Sequence, residues 1–228
     1  MKKRVVSLVV IGILLMFEGV ALSTAVAPTW SYTIETMTGF AMSKNGEYLI
    51  AVCEKGPRCK EGQFYVFDRY GNILKDCCIK SEITAVDIAN NGILFLGIPN
   101  GYYFFSVSGK IPENPKEMEG IPKFVSMSKT GEIAVVRTDK GILICDRGNI
   151  REEEPISDEN TITAPAISDD GSIIVCGIST SIMILDSQLT RQETWTIQGK
   201  VTSIAMTADG SRLVYGTQEG RVFCLDLS

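Results

Sequence analysis

A four-residue turn signature recurs five times along this chain. It reads Ser43-Lys44-Asn45-Gly46, Ala89-Asn90-Asn91-Gly92, Ser128-Lys129-Thr130-Gly131, Ser168-Asp169-Asp170-Gly171 and Thr207-Ala208-Asp209-Gly210. The closing glycines fall about forty residues apart, a period that belongs to architectures built from one repeated supersecondary unit. Every copy has the same internal order. An apolar stretch leads into the turn, as in Ile83 to Ile88 or Val201 to Met206. A second apolar run follows the glycine, for example Tyr48-Leu49-Ile50-Ala51-Val52 or Ile173-Ile174-Val175-Cys176. A third run comes next, and in four of the five copies it ends in aspartate, at Asp68, Asp146, Asp186 and Asp226, with Ser106 as the exception. These runs are short, β-branched or aromatic, and bounded by Gly, Asn, Asp or Ser, which is a strand pattern rather than a helical one.

A fourth, more polar run closes each unit, most clearly at Ile73-Leu74-Lys75-Asp76-Cys77 and Thr194-Trp195-Thr196-Ile197. Polar character suits an outer edge strand, which must resist pairing with other chains. Pro115, Pro122 and Pro155 make this strand hardest to place in the second and third copies. The last copy ends after its third run. The segment Thr29-Trp30-Ser31-Tyr32-Thr33-Ile34 resembles Thr194-Trp195-Thr196-Ile197. The expectation is that this N-terminal strand completes the C-terminal unit and closes the array. A larger ring assembled from two chains is the alternative.

The turn signatures and the aliphatic-Asp strand ends resemble β-propellers of the broad WD40-like and quinoprotein-like (PQQ-like repeat) kind, over Thr29 to Ser228. The resemblance is to the architecture. It implies four-stranded blades around a central channel, here five, in a fold used mostly to hold partners. The chain has no Trp-Asp dipeptide and no Gly-His pair, and it lacks the tryptophan docking motif of quinoprotein dehydrogenases.

The N-terminus carries Met-Lys-Lys-Arg, an apolar run from Val5 to Phe17, and the small residues Ala21 to Ala27. That order describes an export signal over residues 1–25, with cleavage after Ala25. An uncleaved membrane anchor is the alternative, although the run is short against the roughly 20 residues of a span. The propeller domain then covers residues 29–228 of the 228, and the protein is expected to be secreted, periplasmic or at the cell surface. The net charge of −5, with basic residues scattered, argues against nucleic acid as a partner. There is no histidine, which removes the commonest general base and every imidazole metal site. No Walker loop, dinucleotide-binding glycine motif or nucleophile elbow is present. No cofactor is implied.

Three features are candidates for function. The first is Asp87, the single charged member of a column that otherwise reads Ala41, Ser126, Ala166 and Ala205, five residues before each turn glycine. It is either a ligand or acid at the channel mouth or a structural carboxylate that satisfies nearby backbone groups. The second is a cysteine group in the first unit, Cys53, Cys59, Cys77 and Cys78. In an exported protein these residues point to one or two disulfides, with the connectivity open. A thiolate metal site is the alternative, and the vicinal pair disfavours it because adjacent strand residues face opposite ways. Cys145, Cys176 and Cys224 are expected as buried small hydrophobes. The third is a longer loop between the second and third strands of the first unit, where Lys55, Arg58, Lys60 and Glu61 would meet a partner. The resulting expectation is a non-catalytic scaffold for another protein or an envelope component. An enzyme acting at the channel, either a glycan hydrolase or lyase or a cofactor-dependent dehydrogenase, is the alternative.

Overall fold

The repeated signature folds as a hairpin turn whose first residue sets the register. In a computed structural model of the chain, Ser43 Oγ accepts the Tyr48 N–H at 3.0 Å. Ser128, Ser168 and Thr207 accept in the same way from Ile133, Ile173 and Arg212, at 3.1, 3.0 and 3.0 Å. The third residue caps the turn, with Asn45, Asp170 and Asp209 accepting from the N–H two residues on. The closing glycines all have φ between 70° and 79°, a region that side chains disfavour. Ala89 has no hydroxyl. Its turn closes one residue earlier, with the Ala89 N–H bonded to the Ile93 carbonyl at 2.9 Å. Ile93 therefore occupies the place held by Tyr48, Ile133, Ile173 and Arg212 in the other copies.

The structure describes residues 28–34, 36–54, 59–155, 163, 165–188 and 190–227. The export-signal reading of residues 1–25 lies outside them. The described residues form five antiparallel sheets, each a meander of consecutive strands. The first contains β1 (Met37–Met42), β2 (Tyr48–Cys53), β3 (Gln63–Asp68) and β4 (Ile73–Cys78). The second contains β5 (Ala85–Ile88), β6 (Ile93–Ile98), β7 (Gly101–Ser106) and β8 (Lys116–Glu117). The third contains β9 (Pro122–Met127), β10 (Ile133–Thr138), β11 (Gly141–Asp146) and β12 (Asn149–Pro155). The fourth contains β13 (Ala166–Ile167), β14 (Ile174–Ile178), β15 (Ser181–Leu185) and β16 (Arg191–Thr196). The fifth has three strands, β17 (Val201–Met206), β18 (Arg212–Thr217) and β19 (Val222–Asp226).

Successive sheets pack face to face in a propeller-like arrangement. Ile50, Phe64 and Val66 of the first sheet meet Leu94, Leu96 and Phe105 of the second. Phe95 and Tyr102 then pack toward the third sheet, Ile142 and Ile144 toward the fourth, and Val175 and Ile182 toward the fifth. The alternation of a strand makes this possible, because each sheet presents one apolar face backward and one forward. Two of the three prolines limit outer strands as expected, and Pro122 departs from that expectation. Pro115 directly precedes the two-residue β8, Pro155 ends β12, and Pro122 begins the inner strand β9.

The N-terminal segment departs from expectation. Thr29–Ile34 is not a strand and does not complete the sheet of β17–β19. It lies on the backward face of the first sheet. Trp30 stacks on Phe67 with ring centroids 5.4 Å apart and donates its indole N–H to the Arg69 carbonyl at 3.2 Å. Tyr32 packs on Phe67 and Tyr65 at 5.1 and 5.5 Å. These aromatic contacts and the burial of Ala51, Cys53, Tyr65 and Phe67 favour covering a face over pairing an edge.

Candidate functional site

The inner strands carry a column of small residues opposite large ones. Ala41, Asp87, Ser126, Ala166 and Ala205 pair with Ile50, Phe95, Val135, Val175 and Val214. Asp87 is engaged on both carboxylate oxygens. Oδ1 accepts the Ile88 N–H and Oδ2 accepts the Met127 N–H, each at 2.8 Å. Burial pushes its carboxyl up to about 6, against the opposing pull of these two donors and of the Lys44 ammonium. Lys44 itself reaches Asp169 of the fourth turn, with Nζ to Oδ1 at 2.6 Å.

The turns are also bonded to one another. The Asn90 N–H donates to the Lys129 carbonyl at 3.1 Å, Lys129 to Asp169 at 2.8 Å, and Asp169 to Ala208 at 2.7 Å. The Asn45 N–H joins the series through Asn90 Oδ1 at 3.0 Å. Among the described residues this series runs from the first turn to the fifth and is not continued back to the first.

The other candidates lie at the opposite end of the strands, because the β2–β3 connection leaves β2 at the end away from the turns. Lys60 and Glu61 are exposed there, while Lys55 and Arg58 lie outside the described residues. The loop is pinned by a disulfide between Cys59 and Cys78, with Cα atoms 5.7 Å apart. Cys53 and Cys77 are free thiols, and burial pushes both up. Cys77 packs toward the second sheet. Cys53 lies on the opposite face, among Ala51, Tyr65 and Phe67. A disulfide is compatible with an oxidising compartment. At this same end a cleft of about 180 Å³ is lined by Thr38, Phe40, Ile83, Ala85, Lys123 and Phe124. It is below the roughly 300 Å³ usual for small-molecule sites.

The aspartates at the third-strand ends hold turns. Asp68 Oδ1 accepts the Tyr70 and Asn72 N–H groups, and Asp186 Oδ1 accepts those of Gln188 and Thr190. Asp146 pairs with Arg151 at 2.5 Å. Among the described residues no group of three Cys, Asp or Glu side chains is placed to hold a metal ion.

Sequence reading missed one surface. Val214 takes the place of Ile50, Phe95, Val135 and Val175, which are fully buried, yet it is 40 % exposed. Val222 takes the place of Phe64, Tyr102, Ile142 and Ile182, none more than 1 % exposed, yet it is 74 % exposed. Cys224 lies on the same face and is exposed, contrary to its expected burial. At the other end of the array, Phe40 and Met42 on the backward face of the first sheet are 59 % and 61 % exposed. Among the described residues, no sheet packs in front of the fifth sheet and none behind the first. The signal for this surface lies in the fifth copy, whose third run Val222-Phe223-Cys224-Leu225 is as apolar as the others.

The chain matches no family model and no curated protein. It is similar in structure to hydrazine synthase from Kuenenia stuttgartiensis, a propeller-containing protein, with a TM-score of 0.64 at 15 % identity. The match spans 92 % of this chain and 67 % of that one. At this identity the likeness is one of fold, and it places the chain among all-β proteins of propeller-like build.

Proposed function

We propose that the protein is a non-catalytic, extracytoplasmic β-propeller that serves as a binding scaffold for protein partners. The observation that carries this reading is the apolar forward face of the fifth sheet, where Val214 and Val222 are exposed at positions every other sheet buries. Exposed apolar surface of this kind marks interaction sites. The five sheets supply a rigid frame, and partner contact at the end sheets would complete the ring of blades. The disulfide-pinned loop with Lys60 and Glu61 offers a second, polar contact surface. The basic, apolar and small-residue order of residues 1–27, read as an export signal or an uncleaved anchor, supports an envelope or extracellular setting.

The enzyme reading rests on Asp87. Its two oxygens are both occupied by backbone donors of its own and the next sheet, which is what a structural carboxylate does. In vivo cross-linking, with recovery of the protein from native envelopes and mass spectrometry, tests the scaffold reading. A stoichiometric protein partner is expected. Recovery without any partner, together with turnover of a glycan or small substrate that Asp87→Asn abolishes, would replace it with the enzyme reading.

A further inference from the structure

The described residues build one kind of interface four times over, and they leave the forward face of the fifth sheet open and the β1 part of the first sheet's backward face uncovered. Forward faces carrying Ile50, Phe95, Val135 and Val175 each meet the backward face of the next sheet. Those backward faces present Ile88, Met127, Ile167 and Met206 at the place Met42 holds in the first sheet; the first three are 2 %, 2 % and 6 % exposed and Met206 is half-buried. The unmet forward face is uncharged at its centre, with Ala205, Val214, Val222 and Cys224. The backward face of the first sheet is covered by Trp30 and Tyr32 over Tyr65 and Phe67, and its uncovered part, on β1, carries Phe40 and Met42.

The turn-to-turn hydrogen bonds give this array a direction. The second, third and fourth turns each donate a backbone N–H to the carbonyl of the next. Among the described residues, the series stops with the Ala208 N–H on the fifth turn and the Lys44 carbonyl on the first. One end of the array offers a donor and the other an acceptor.

We infer that a second copy of this chain docks head to tail, with the forward face of the fifth sheet of one protomer seated on the Phe40 and Met42 face of the other. This rests on the scaffold reading and names one partner for it. A second copy carries, at Met42, the inner-strand position that Ile88, Met127 and Ile167 fill in the internal interfaces, beside a face that the N-terminal aromatics extend. The directional bonds favour this heterologous contact over two fifth sheets meeting face to face, which would set donor against donor.

The test uses the full mature chain and two charge substitutions on exposed side chains, Val222→Asp and Met42→Glu. Each leaves folding intact, which matched melting curves check. Light scattering after gel filtration, at tens of micromolar protein, reads the mass. Wild type is expected to self-associate. Each variant alone is expected to be monomeric, since every head-to-tail contact needs one intact face of each kind. An equimolar mixture of the two is expected to form a dimer, because Met42→Glu keeps its forward face and Val222→Asp keeps its backward face. A monomeric wild type overturns the inference. Dimers formed by Met42→Glu alone overturn it in favour of a symmetric contact between fifth sheets. Neither result bears on partner recovery from the envelope, so the scaffold reading stands or falls separately.

Discussion

Asp87 of β5 accepts the Met127 N–H of β9 at 2.8 Å, so that one carboxylate ties the second sheet to the third. Burial raises its folded value to about 6 from the ordinary 3.8. The folded state therefore holds the proton more tightly than the unfolded state across that window. Ionisation of Asp87 costs stability above about pH 6, and the cost shrinks as the pH falls toward 4. The stability of wild type relative to Asp87→Asn is expected to rise by about 2 kcal/mol between pH 7 and pH 4. Urea unfolding of both proteins across that range measures it, and a flat difference would show that Asp87 titrates normally.

Ser168 is fully buried at the head of the fourth turn. Its hydroxyl accepts from the Ile173 N–H and donates to Asp170 Oδ1 at 2.6 Å. Ser168→Ala leaves that N–H without its side-chain acceptor and is expected to destabilise by about 1–2 kcal/mol. The same change at Thr207, whose turn is exposed, should cost less. Thermal melting of the two variants side by side gives the comparison.

Trp30 and Gly71 are mutually dependent. A Cβ on Gly71 would lie 2.7 Å from the indole, and its φ of +85° disfavours any side chain. Gly71→Ala is expected to cost about 2 kcal/mol, and Trp30→Ala about 2–3 kcal/mol. The double variant should cost less than the sum, since removing the indole relieves the collision but not the backbone strain. Additive losses would mean that the N-terminal segment does not rest on the first sheet.

The thiols should separate by exposure. Cys224 is exposed and is expected to react at once with an aromatic disulfide reagent. Burial pushes Cys145 and Cys176 up to about 12, so both should react only on unfolding. Reducing the Cys59–Cys78 bridge, which spans a sequence separation of 19, should lower stability by about 3 kcal/mol. Mass spectrometry of labelled peptides, native against denatured, reads all of these sites together.

Local chemistry made most of the fold legible. A hydroxyl, an Asx residue and a glycine at fixed spacing specify one turn, and the flanking β-branched runs specify strands. The small column containing Asp87 was visible because it is defined relative to those turns. The fate of Thr29–Ile34 was not visible. Its likeness to Thr194–Ile197 is real, but an aromatic strand pattern serves an edge or a face equally well. Only the positions of Phe67, Tyr65 and Gly71 in space decide between the two uses. The disulfide partner of Cys59 was unreadable for a similar reason. Cys77 and Cys78 are neighbours in sequence, and strand pleat alone sends Cys77 toward the second sheet.

The shortened turn at Ala89 has a consequence for how such a chain tolerates change. Losing one residue there shifts Ile93 into the place Tyr48 holds, so the strand keeps its inward and outward faces. A deletion inside β6 would invert both faces at once. The leading residue of each turn thus acts as a local length gauge. With a hydroxyl the turn spans five residues to its partner, without one it spans four, and the rest of the unit is insulated from the difference.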